Sequence, residues 1–99
     1  GNYYYKDWLM ELNSHEQLFV ITMEECGELI QECSKILRHG MNSKTHSKLI
    51  DEIGDVCAMI QLLKEKKHVT QKEIDKRMKV KFKKLKKYSD IKCSSINIS

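Results

Sequence analysis

The sequence predicts an all-α chain, an antiparallel helical bundle completed by oligomerisation. Three observations carry that reading. Proline is absent, glycine is scarce, and Lys, Glu, Leu and Ile are abundant, a balance that favours helices over a turn-rich β architecture. Apolar residues recur at three- and four-residue intervals in three successive stretches. Two of those stretches open on capping-box patterns, Ser14 with Gln17 and Thr70 with Glu73. A chain of 99 residues fits one small domain, read here as 1–99, whose modest core per copy makes a homodimer or homotetramer the expected state.

Residues 1–13, with Tyr3, Tyr4, Tyr5 and Trp8, show no clear period and form an irregular or short helical lead-in, in which Gly1 fits a remnant left by cloning. The first long helix is expected over about 15–38, stopped by Gly40. At about 100° per residue its apolar arc holds Leu18, Phe19, Met23, Cys26, Leu29, Ile30, Cys33, Ile36 and Leu37, with Glu25, Glu28 and Glu32 on one shoulder. After the loop MNSKTHS a second helix is expected over about 46–67. Leu49, Ile50, Ile53, Val56, Cys57, Ile60 and Leu63 form its arc, and Glu52 and Asp55 lie to one side. The third runs over about 71–88 with a stripe of Ile74, Met78, Phe82, Leu85 and Tyr88, and the tail 89–99 loses the period and is expected to dock loosely or fray.

Charge is divided unevenly. Residues 1–63 carry five Lys/Arg against ten Asp/Glu, and residues 64–99 carry thirteen against four. No run of about 18 apolar residues exists and no secretory pattern opens the chain, so a cytoplasmic protein without a membrane partner is expected. Cys26, Cys33, Cys57 and Cys93 form no C-x-x-C pair, and three of them fall in apolar helical registers, which predicts buried thiols.

The chemistry is expected from carboxylates. Glu25-Cys26-Gly27-Glu28 and Glu52-Ile53-Gly54-Asp55 each set two carboxylates at i and i+3, on the same side of a helix. Such pairs repel, and Lys48, one turn before Glu52, is the only cation close to either. Two claws facing each other from neighbouring helices supply oxygen ligands suited to Mg²⁺ or Mn²⁺. Gly27 and Gly54 cost a helix roughly 1 kcal/mol each against alanine, and close backbone approach is the reason expected for them; spacing alone equally allows tolerated glycines on solvated acidic faces.

The runs MEECGELIQECSK and KLIDEIGDVCAMIQLL resemble the all-α nucleoside triphosphate pyrophosphatases, the group that contains MazG, dimeric dUTPases, dCTP pyrophosphatases and phosphoribosyl-ATP pyrophosphohydrolase. The shared pattern is E-E-x-x-E, a spacer, then E-x-x-D. This chain supplies Glu24, Glu25 and Glu28, then Glu52 and Asp55, and the likeness spans about residues 14–88.

The resemblance implies that Glu25, Glu28, Glu52 and Asp55 hold Mg²⁺ ions, which grip the triphosphate of a nucleoside triphosphate substrate, orient water on the α-phosphoryl group and stabilise departing pyrophosphate. It implies help in water activation from Glu24 or Glu28; Glu24 equally fits an exposed helix position. Lys48, Lys79 and Lys83 are the candidate phosphate partners, although each also fits a solvated surface lysine. Trp8 and Phe19 are candidate walls for a base, with a core or interface role as the competing assignment.

Rival readings have weaker support. The run KRMKVKFKKLKK suggests a non-enzymatic helical binding module, but its apolar stripe already accounts for the helix and the acidic front repels nucleic acid. A di-iron bundle needs two Glu-x-x-His motifs, and only Glu65 with His68 fits.

Overall fold

The computed structural model describes residues 6–94, and among them the chain forms four helices and no strand, as expected of an all-α fold. They are α1 (Lys6–Leu9), α2 (Ser14–His39), α3 (Ser43–Glu65) and α4 (Gln71–Tyr88). The assignments at Gly1, Tyr3–Tyr5 and residues 95–99 lie outside the described residues. Two compact units divide the chain, residues 1–63 and residues 64–99. The boundary coincides with the change from an acidic to a basic balance.

Local hydrogen bonding sets the helix limits and corrects three of the expected ones. α2 opens on Asn13, whose Oδ1 accepts from the Glu16 N–H at 2.8 Å while Glu16 Oε1 accepts from the Asn13 N–H at 3.0 Å. The capping box is therefore Asn13 with Glu16, and Gln17 instead donates to the Leu12 carbonyl at 2.8 Å. Gly40, at φ 82°, closes α2, and its N–H donates to the Ile36 carbonyl at 2.8 Å.

α3 starts three residues earlier than expected because Asn42 caps it: Asn42 Oδ1 accepts from the N–H groups of Lys44 and Thr45, both at 3.0 Å. The buried Thr45 hydroxyl donates back to the Gly40 carbonyl at 3.0 Å, tying the end of α2 to the start of α3. Past Glu65 the chain turns through Lys67, at φ 64°, so α3 ends short of residue 67. α4 has the expected limits, with Thr70 and Glu73 forming the expected capping box.

Burial in the first unit follows a seven-residue repeat. Its buried residues are Leu18, Glu25 and Glu32 on α2 and Thr45, Glu52 and Met59 on α3. A seven-residue step returns to nearly the same side of a helix, so each set is a single seam. The seam runs through the carboxylates, not through the centre of the apolar arcs. Phe19, Met23, Cys26, Ile30, Cys33 and Leu37 of α2 are all exposed, as are Ile50, Ile53, Cys57 and Ile60 of α3. The expectation of buried cysteines is corrected with them: three thiols are exposed and Cys93 is half-buried, because the single chain leaves these faces uncovered.

The second unit has no buried residue on α4; Ile74, Phe82 and Leu85 are half-buried, and Met78 and Tyr88 exposed. The Ser89 hydroxyl donates to the Leu85 carbonyl at 2.7 Å and accepts from the Ile91 N–H at 3.2 Å, which turns the tail as it leaves α4.

Replacing Asn42 with alanine removes the acceptor for two α3 amides. The expected loss is about 1 to 2 kcal/mol of stability, to be read as a lower urea midpoint with an unchanged slope.

Candidate metal centre

α2 and α3 are joined by only Gly40, Met41 and Asn42, which makes them antiparallel neighbours. Glu25 hydrogen-bonds with Asp55, and Glu52 with Glu28, so the order of partners reverses from one helix to the other as that arrangement requires. Each of the four residues offers one carboxylate oxygen, and these oxygens all lie within 4.8 Å of one another. The two i, i+3 claws expected from the sequence thus face each other. Glu25 and Glu52 are buried, and Glu28 and Asp55 are half-buried.

Four carboxylates at such separations cannot all ionise cheaply in the absence of a cation. Glu25 is pushed up to about 7, first by burial, then by its hydrogen bond with Asp55 and the charge of Glu28. Glu52 is raised by burial, by its hydrogen bond with Glu28 and by the charges of Glu28 and Asp55, against which Lys48 exerts a smaller lowering effect. A protonated carboxyl in each pair accounts for a hydrogen bond between two acids.

The residues fit a hard divalent cation. The donor set is all oxygen, and Glu52 Oε2 is buried without a hydrogen-bond partner among the described residues. A buried carboxylate oxygen in that condition carries a full desolvation cost that a cation offsets.

The other expected site residues are distributed differently. Glu24 is half-buried on α2 and is not one of the four clustered carboxylates. Lys48 is exposed on α3, close enough to act on Glu52. Glu32, one heptad beyond Glu25 and buried, accepts from Lys35 Nζ at 3.1 Å, an ion pair that sets it apart from the cluster. Trp8, on α1, is 52% exposed, and Phe19 is exposed with its ring edge-on to His15 at 5.1 Å, so neither is a core residue within this chain. Lys79 and Lys83 belong to the second unit, where both line a cavity beside the tail.

The glycine expectation is also corrected. A Cβ built on Gly27 or Gly54 meets no atom within 4 Å, so close approach within the chain does not explain either residue. Alanine at either position is expected to raise stability by about 0.5 to 1 kcal/mol in urea titration, through helix propensity alone.

A carboxyl whose folded pKa exceeds its unfolded value favours the fold while protonated and gives up that contribution as pH rises through the folded pKa. Glu25 and Glu52 are both raised. In EDTA the melting temperature is therefore expected to fall between about pH 5 and about pH 8, and Mg²⁺ or Mn²⁺ added at the upper end to restore it. A flat profile that also ignores both ions would contradict the site.

No helix among the described residues is long and apolar enough to cross a membrane. No curated protein and no solved structure matches the chain. The profile of the MazG nucleotide pyrophosphohydrolase domain matches residues 13–88, a span that contains all four clustered carboxylates and all of α2, α3 and α4. On that match, and consistent with the paired acidic claws, the chain belongs to the MazG nucleotide pyrophosphohydrolase family.

Proposed function

We propose that this chain is a cytoplasmic, Mg²⁺-dependent hydrolase that cleaves a nucleoside or deoxynucleoside triphosphate between the α- and β-phosphates, releasing the monophosphate and pyrophosphate. The observation that carries the proposal is the convergence of four carboxylate oxygens from two antiparallel helices within 4.8 Å of one another. Glu25, Glu28, Glu52 and Asp55 would hold Mg²⁺, with Mn²⁺ as an alternative. Such an ion, when bound, offsets the charge of the triphosphate and of the leaving pyrophosphate.

The chain's own groups supply the rest. In the reaction a water oxygen bonds to the α-phosphorus, the bond from that phosphorus to the bridging oxygen breaks, and pyrophosphate leaves with the electron pair. Glu28 or Glu24 takes the proton from the attacking water, and Glu28 is favoured because it stands in the cluster while Glu24 does not. Lys48, beside Glu52, meets a phosphate oxygen. Trp8 offers a flat apolar surface to the base.

A second copy of the chain completes the fold in this reading. Phe19, Met23, Cys26, Ile30, Cys33 and Leu37 alternate steps of four and three residues, and Ile50, Ile53, Cys57 and Ile60 continue the pattern on α3. That is the spacing of a helix-packing seam, and exposure of both stripes supports a dimer or tetramer that buries them. Light scattering is expected to return the mass of two or four copies at micromolar concentration, and Ile30→Glu to reduce it to one. A monomeric parent would remove the second copy from the reading.

The activity test is pyrophosphate release from a panel of NTPs and dNTPs with Mg²⁺, comparing the parent with Glu52→Gln/Asp55→Asn. The double variant keeps shape and removes charge, and its release is expected to drop on the order of a hundredfold or more. Silence across the panel, from a folded parent that also ignores Mg²⁺ and Mn²⁺, would favour a non-enzymatic binding module using α4.

A further inference from the structure

The second unit contains a cavity of about 840 Å³ between α4 and the tail that leaves it. That volume lies within the roughly 300 to 1,000 Å³ typical of small-ligand sites. Lys79, Lys83 and Lys86 contribute from α4, where steps of four and three residues set them on one face, and Lys92 contributes from the tail. Asp90 is the one carboxylate among the described lining residues. Phe82 lies on the same helix face between the lysines, and Ile91 adds apolar surface from the tail. The Ser89 turn positions that wall, because its hydroxyl bridges the Leu85 carbonyl and the Ile91 N–H.

We propose that this cavity is a binding site for a nucleoside phosphate that works without a metal ion, with its phosphates on Lys79, Lys83, Lys86 and Lys92 and its base against Phe82 and Ile91. Charge complementarity selects a ligand bearing several phosphates, since four ammonium groups stand against one carboxylate. The concave arrangement selects a small ligand over an extended polyanion, because the cations reach the space from two chain segments and do not follow a ridge. The aromatic floor selects a nucleoside phosphate over bare phosphate, as base–aromatic stacking adds affinity that pyrophosphate cannot gain. The site lies within the second unit and shares no residue with the carboxylate cluster. It does not require the carboxylate cluster.

The test is calorimetric titration of the chain, in EDTA, with ATP, with pyrophosphate and with a single-stranded oligonucleotide of matched phosphate content. Saturable ATP binding is expected, roughly tenfold tighter than that of pyrophosphate. Lys83→Gln/Lys86→Gln, both at exposed positions, is expected to weaken ATP at least about fivefold. Phe82→Leu is expected to erase the preference for ATP over pyrophosphate while leaving pyrophosphate binding unchanged. Absence of saturable ATP binding in EDTA overturns the proposal, as does equal affinity for ATP and pyrophosphate, or an oligonucleotide that displaces ATP at lower concentration. ATP binding in EDTA by a chain that releases no pyrophosphate supports this site and fails the hydrolase reading alone; the reverse pattern fails this site alone.

Discussion

Mutual repulsion among Glu25, Glu28, Glu52 and Asp55 is the constraint around which the first unit is arranged. An ordinary helix hairpin puts aliphatic side chains on its seam and leaves acids at the edge. Here the seam itself carries Glu25 and Glu52, with the buried apolar residues Leu18 and Met59 at its open end, away from the turn. A hairpin packed in this way gives up part of its hydrophobic driving force where the helices are closest and accepts the cost of desolvating acids. Burial first, then the hydrogen bond with Asp55 and the charge of Glu28, push Glu25 up to about 7, which is the direction that cost dictates.

The remaining features follow from holding those acids at one register. The hairpin turn is tied by side chains rather than by bulk: Asn42 caps α3, and the Thr45 hydroxyl closes onto the Gly40 carbonyl. A slip of one helix along the other would separate Glu25 from Asp55 and Glu28 from Glu52 together. Beyond the cluster, the buried Glu32 is balanced by Lys35, whose Nζ donates to it at 3.1 Å. The chain concentrates electrostatic cost where a bound cation would relieve it.

The apolar stripes show the other side of the same arrangement. Once acids occupy the seam, the aliphatic faces of α2 and α3 turn elsewhere, and Met23, Ile30 and Leu37 stand 72%, 69% and 88% exposed. Exposed aliphatic residues repeating over several helical turns are costly in water and call for a cover. The basic second unit differs in character, with no buried residue on α4 and a cation-lined hollow at its end.

Much of this molecule was legible in its sequence. Helical periodicity located α2, α3 and α4, and the i, i+3 acid pairs identified the four residues that converge, because both signals depend only on local geometry. The capping residues Asn13 and Asn42 stand in the sequence, but the expected box was Ser14 with Gln17 and the second helix was expected to start at about 46. Which face of each helix would be buried was decided by tertiary structure alone. A helical wheel ranks faces by hydrophobicity and selects the broad apolar arc, whereas two helices joined by three residues meet along whichever seam that link permits, and here the seam brings four carboxylates together. For the same reason the wheel predicted buried cysteines, and the folded chain leaves three thiols exposed; the close approach expected from the cost of glycine in a helix gives way to open space beside Gly27 and Gly54.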